Sequence, residues 1–380
     1  MTFKNELTGI TAWEQAHPNG EKGTAMTEGN SFTNDFTYNN KTPGQPAMGF
    51  WRVWNVKDIM LRKFTPQQTQ DINLSGGTQK VSYYMSFGYN HESGIMKPHP
   101  DDVKKYNVTA AVDAEVTKWL DLSTKIMYRN FEYTEPFPYQ QTFYYMWRWP
   151  AYMPYGTWTG PNNDQPASYF RGPIGFMKVA KDNTTVDNYS RVDLGATLRP
   201  VNHLSIEAHY TINRDNVLTH EAGGPPILWN WWEGPGFNLD NTQPWNNFAA
   251  YDASRALVNT FNGFATYDNT FNNVHHVTLM AGMNAEDDEN IGFRAEADYL
   301  LDPSLPELGL TTGQEGAQYV SGNHGHSAYA GFFGRANYAY KDKYLVELNI
   351  RRDGSSAFSP DDRWATFSSG SAGWRISSEP

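Results

Sequence analysis

Across residues 106–116 one face reads Tyr106, Val108, Ala110, Val112, Ala114, Val116 and the other Asn107, Thr109, Ala111, Asp113, Glu115. A period of two sends alternate side chains to opposite sides of an extended chain, so this run predicts a strand with one apolar face. The pattern returns at 81–89, 204–212 and 344–350, and more weakly at 119–131, 188–199, 255–268, 274–286, 328–340 and 363–376, with a further strand near 68–75. The total is about eleven strands. No stretch longer than ten residues keeps a helical period. The segment 1–66, rich in Asn, Gly and Thr, alternates poorly and predicts loop or irregular strand.

The connections carry a second constraint. Tight ones fall at Gly76-Gly77-Thr78-Gln79, Thr117-Lys118, Arg199-Pro200-Val201-Asn202, Thr270-Phe271-Asn272-Asn273 and Lys341-Asp342-Lys343. Between them lie long ones at 92–104, near 132–187, 214–254 and 287–326, and at 352–362. Short and long alternate along the chain. In an antiparallel meander alternate connections emerge at the same end, so every tight turn lies at one end and every long loop at the other. A soluble sandwich has no reason to segregate its loops, whereas a membrane barrel has short turns on one side and long loops on the other. The runs 103–117 and 119–131 also exceed the nine to eleven residues that cross a bilayer at a tilt. Tyr106, Trp119, Tyr128, Tyr210, Tyr338, Tyr340 and Tyr344 lie near strand ends, where aromatic girdles form.

Composition narrows the alternatives. With 13 Trp, 23 Tyr and 21 Phe the chain is far too aromatic to stay disordered. A net charge of −11 without a dense Lys/Arg stripe disfavours nucleic acid as a partner. The absence of cysteine removes disulfides, thiolate metal sites and Cys nucleophiles. There is no apolar run of about 18 residues and no secretory leader at Met1-Thr-Phe-Lys-Asn-Glu, yet a barrel reads as hydrophilic on average.

The stretch 344–376 resembles the barrel signature of the SusC/RagA family of TonB-linked outer-membrane transporters. In that pattern a strand ends in an Arg-Asp-Gly-Ser-Ser loop, followed by Arg-Trp and a strand closing in Gly-Trp-Arg. Here these are Arg352, Asp353, Gly354, Ser355, Ser356, then Arg363, Trp364, then Gly373, Trp374, Arg375. A second match, at 72–95, is similar to the family's Gly-Gly hairpin and Tyr-rich strand. The resemblance covers most of 67–377 and implies an all-β, antiparallel up-and-down transmembrane barrel. It implies about 22 strands in the whole barrel, so the chain is expected to be an internal portion, about half, without signal peptide or plug. The expected division is an irregular segment 1–66 and a barrel portion 67–380. The resemblance further implies the cell outer membrane as location and a SusD-like surface lipoprotein as lid. It also implies TonB-ExbB-ExbD as energy source and an oligosaccharide or peptide as cargo, with no cofactor.

Two loops are aromatic enough to single out. Residues 143–158 carry Trp147, Trp149, Tyr155 and Trp158, and residues 228–237 carry Trp229, Trp231 and Trp232. Flat rings beside Asn, Gln and Arg suit sugar stacking or a docking partner, and large loops also build small cores of their own. The polar faces supply Asp113, Glu115, Glu207, Arg335 and Glu347 as lumen residues. Glu286-Asp287-Asp288-Glu289 lacks the spacing of a calcium loop and reads as a solvated loop tip. His275 and His276 point to opposite faces of a strand; His324 and His326 share one but want a third ligand for zinc. No Gly-x-Ser-x-Gly elbow, Walker loop or His-Glu-x-x-His occurs, so no catalytic or metal residue is nominated. The competing readings are a soluble enzyme cleaving glycans with two carboxylates, and a secreted glycan-binding module with shorter strands.

Overall fold

The computed structural model describes residues 56–137, 172–223, 247–302 and 304–379, and short pieces at 36–39, 47–50, 142–143, 146–147, 157–158, 168–170, 228–229 and 239–240. Eleven strands form one sheet. They are β1 (Gln67–Gly77), β2 (Val81–Ser93), β3 (Asp102–Thr117), β4 (Leu120–Phe137), β5 (Lys181–Val201), β6 (Leu204–Gly223), β7 (Phe248–Phe271), β8 (His275–Asp298), β9 (Gln318–Tyr340), β10 (Tyr344–Ser355) and β11 (Trp364–Trp374). Each pairs antiparallel with its neighbour in the chain, a pure meander. The sheet is open: β1 and β11 are its two edges.

The register sorts side chains into one apolar and one polar face. Leu74, Met85, Ala110, Ile126, Val192 and Ile212 share a rung across six strands. Leu204, Tyr267, Leu279, Ala336, Leu348 and Gly370 share another. Among the described residues no second layer covers this face, and Leu74, Leu348 and Ile350 are more than half exposed. Burying a Leu or Ile side chain is worth roughly 1.5–3 kcal/mol, so dozens of such residues standing in water would not persist. The face therefore needs an apolar surround. The opposite face is wet and carries paired charges: Arg129 with Asp187 at 2.6 Å, Arg351 with Asp353 at 2.7 Å, and Arg335 with Glu347.

The tight turns follow from local chemistry. Asn272 and Asn273 have φ of 52° and 58°, and Lys341 and Asp342 have 51° and 53°. With both central residues left-handed, the turns match the strand twist as primed two-residue hairpins do. They close with Val274 N donating to Phe271 O at 3.1 Å and Lys343 N to Tyr340 O at 2.9 Å. At the first hairpin the Thr78 hydroxyl accepts from the amides of Lys80 and Val81, both at 3.2 Å.

The strands are longer than the alternation predicts, and the loops shorter. β7 and β8 each run 24 residues, about 80 Å at the usual rise. The connections expected at 132–187, 214–254 and 287–326 begin and end well inside those limits. Beyond a band of five or so apolar rungs the first face turns polar, at Asn130, Asn188, Arg214, Asn259 and Asp287, while the ladder continues. There charged and amide side chains interrupt the apolar stripe, which β8 resumes only at Ile291, Phe293, Ala295 and Ala297. Glu286-Asp287-Asp288-Glu289 accordingly lies inside β8, paired with β7 and β9, and is no loop tip. Arg352–Ser355, expected as loop, belongs to β10, and the turn starts at Ser356.

The long-loop end has a small core of its own. Met60, Met96, Met146, Ile174 and Met177 pack together with Ile59 and Leu61 against them. They come from α1 (Val56–Met60), the β2–β3 connection, the β4–β5 connection and α2 (Pro173–Val179). Helix α1 is regular structure within a segment expected to be irregular. Thioethers fill such an irregular junction because Met adapts its shape. His99 ties the loops together, with Nδ1 3.2 Å from the Met177 carbonyl and Nε2 2.8 Å from Asp182.

Candidate functional site

The residues of the 344–376 signature come together, and their contacts are structural. Gly354 and Trp364 are rung partners on β10 and β11. The Trp364 ring also stacks near Phe332, with centroids 6.0 Å apart, and Arg352 lies 5.6 Å above it. Asp353 accepts from Arg351 Nε at 2.7 and 2.8 Å on the polar face. Ser355 N donates to Arg363 O at 3.2 Å, and its hydroxyl accepts from Ala357 N at 3.2 Å, shaping the turn. At the other end Gly373 pairs with Leu345, and Arg375 N donates to Lys343 O at 2.8 Å.

Trp374 belongs to an aromatic row. Phe271, His275, Tyr340, Tyr344 and Trp374 are successive partners across β7–β11 on the apolar face, at the tight-turn end. Tyr340 stacks on Tyr344 and Tyr344 on Trp374, with centroids 6.4 and 6.5 Å apart. Rings with an apolar body and a polar tip suit the boundary between hydrocarbon and water. Tyr106 contacts Tyr89 at 5.0 Å toward the other border. Tyr210 is an exception to the predicted girdle: it lies inside the apolar band between Leu194 and Phe261.

The polar face holds the charged groups. Asp113, Glu115, Glu207, Arg335 and Glu347 all fall on it, as their alternation predicts. Beyond the apolar band, Arg294 of β8 meets Glu221 of β6 at 2.7 Å, Glu296 at 2.7 Å, and Asp252 of β7. Its hydrogen bond with Glu221, and that with Glu296, hold the guanidinium protonated above its usual range against the opposing effect of burial. Beside this cluster the face dips into a groove of about 420 Å³ lined by Thr219, Asp252, Ser254, Arg294, Ser321 and Asn323. No motif marks these residues; the signal is polar alternation continuing past the apolar band.

Of the seven aromatic loop candidates, Trp147 is described with its side chain. It is 67% exposed, edge-on to Phe143 at 6.4 Å, while Met146 beside it is buried in the loop core. Trp158 and Trp229 lie on two-residue strands, their own side chains outside the described residues, and Trp149, Tyr155, Trp231 and Trp232 lie outside them altogether. His275 and His276 do point to opposite faces, toward the Tyr338 hydroxyl and toward Thr270. His324 and His326 pair singly, with Glu289 at 3.3 Å and Asp287 at 2.7 Å. Among the described residues no group of three or more His, Cys, Asp or Glu could hold a metal.

TonB-dependent receptor P26 of Formosa agariphila is 24% identical to this chain over 322 residues, covering 83% of the chain and 30% of the receptor. SusC of Bacteroides thetaiotaomicron is 50% identical over 48 residues, 13% of the chain and 5% of SusC. The chain is SusC-like. The solved RagAB peptide transporter matches this SusC-like chain with a TM-score of 0.65 at 19% identity, over 86% of the chain and 36% of the transporter chain, which establishes the fold. No protein-family model matches the chain. The SusC-like chain spans about 30% of the length of the curated receptors it matches. The sheet matches part of the wall of a TonB-dependent barrel, in which the apolar face is turned to lipid and the polar face to the lumen. Among the described residues no helix is long and apolar enough to cross a membrane, which says nothing of a barrel that crosses with strands.

Proposed function

We propose that the chain is barrel wall of a SusC-like TonB-dependent importer in the outer membrane, with residues 67–380 as barrel and 1–66 preceding it in sequence. The observation that carries this reading is the uncovered apolar band on one face of a meander whose tight turns all lie at one end. The long-loop end faces outward and receives an oligosaccharide, or a peptide, beneath a SusD-like lipoprotein. TonB-ExbB-ExbD supplies energy from the tight-turn side. The protein moves its cargo and makes no bonds, so it is not an enzyme. A secreted glycan-binding or glycan-cleaving protein would need a second layer over the apolar face to stay soluble.

The test is disruption of the gene in its own host, with uptake of fluorescent oligosaccharides and peptides measured and outer-membrane fractions probed for the protein. Loss of uptake of one cargo class, with the protein in the outer membrane, supports the reading. A protein found in the medium or cytoplasm, with uptake unchanged, overturns it.

A further inference from the structure

We propose that the groove between β6 and β9 on the lumen face is a subsite for a neutral, hydroxyl-rich ligand, one ring of an oligosaccharide; this rests on the importer reading above. The floor is Gly292, paired with Ser254 on one side and Asn323 on the other. Its lack of a side chain makes the hollow: a Cβ there would come within 2.6 Å of Asn323 Oδ1. At about 420 Å³ the groove falls within the size range of small-molecule sites. It lies about 20 Å along β8 beyond the last apolar rung at Ala285, toward the long loops.

Two features choose the ligand. Ser254, Ser321 and Asn323 make no side-chain hydrogen bond among the described residues, unlike most of their polar neighbours. Hydroxyl and amide groups both donate and accept, which suits a ligand whose own groups do the same. On the adjoining rim, Arg294 is shared among Glu221, Asp252 and Glu296. Three carboxylates around one guanidinium leave acceptors in excess and repel anions. A neutral polyol satisfies both conditions, whereas a sulfated or uronic sugar meets repulsion. A cationic peptide would use the carboxylates and leave the three small polar side chains idle.

The experiment measures binding of maltotriose, trigalacturonate and trilysine to the full chain in detergent micelles by calorimetry. Maltotriose should bind best and trigalacturonate worst. Ser321→Ala with Asn323→Ala should weaken maltotriose about tenfold, as expected for losing one or two hydrogen bonds. Gly292→Ala should weaken it comparably by filling the floor. Because Ser321 and Asn323 bond to nothing internal, their variants should melt as the parent does. Maltotriose affinity in both variants equal to the parent's, no binding by the parent, or preference for trilysine would overturn the subsite. Uptake and outer-membrane location in the host are read separately, so the subsite can fail while the importer reading stands.

Discussion

The indole of Trp364 lies across Gly354 on the neighbouring strand, so close that a Cβ at 354 would sit 2.8 Å from three ring atoms. The glycine is the seat of the ring. Gly354→Val should displace the ring from Phe332 and Arg352 and destabilise the barrel by about 1–3 kcal/mol, the usual cost of overpacking. Trp364→Ala should cost a similar amount and be less than additive with it, since the two changes remove one contact. Heat-modifiability on gels, followed against temperature, reads both; full additivity would show that ring and glycine act independently.

Trp374 should report the bilayer boundary. Its row with Tyr344, Tyr340 and His275 places it at the tight-turn end of the lipid face. In vesicles of brominated lipids Trp374 fluorescence should be quenched most by bromines near the headgroup. Trp147, two-thirds exposed on the loop core, should hardly respond. Single-Trp variants keep the two signals apart, and strong quenching of Trp147 would contradict the assigned orientation.

Glu379 offers a pH readout on the same side. Its carboxylate is held below the ordinary glutamate value first by Lys343, then by hydrogen bonds from the Trp374 indole and the Tyr344 hydroxyl, both at 3.1 Å. A depressed carboxyl pKa stabilises the fold above the unfolded value and loses that contribution as pH falls through the folded one. Acidification through that window should release the indole N–H, seen as a shift of its proton resonance. Glu379→Gln should leave the resonance insensitive to pH.

The two neighbours Met146 and Trp147 should behave oppositely. Met146→Ala opens a void in the loop core and should loosen the loops by about 2 kcal/mol or more. Proteolysis of the β4–β5 connection measures this. Trp147→Ala should leave proteolysis unchanged, and if Trp147 contacts cargo or lid it should lower uptake.

The sequence reveals the strands only where lipid demands an apolar face. At Val346, Leu348 and Ile350 the alternation is complete because hydrocarbon meets one side and water the other. At 286–289 carboxylates fall on both sides, so β8 reads as a loop there although its ladder is intact and alternation resumes at Ile291, Phe293, Ala295 and Ala297. The 344–376 motif was legible as a family mark, and its Gly354–Trp364 and Leu345–Gly373 pairs join β10 to β11. The groove around Gly292 was invisible, because Ser254 lies far in sequence from Ser321 and Asn323 and all three are ordinary strand-face residues. The aromatic loops were conspicuous, and Met146 shows why composition alone misleads: beside an exposed ring, a thioether anchors the core.

The turn at Asn272-Asn273 joins two 24-residue strands without slack. Inserting one residue there would exchange the faces of β8 unless a bulge restored the phase, driving its charges toward lipid and its apolar side chains toward water. An insertion between β8 and β9 would leave both strands in place. Length variation among descendants of such a barrel is thus confined to one side of the membrane, where new contacts can be tried without rewriting the wall.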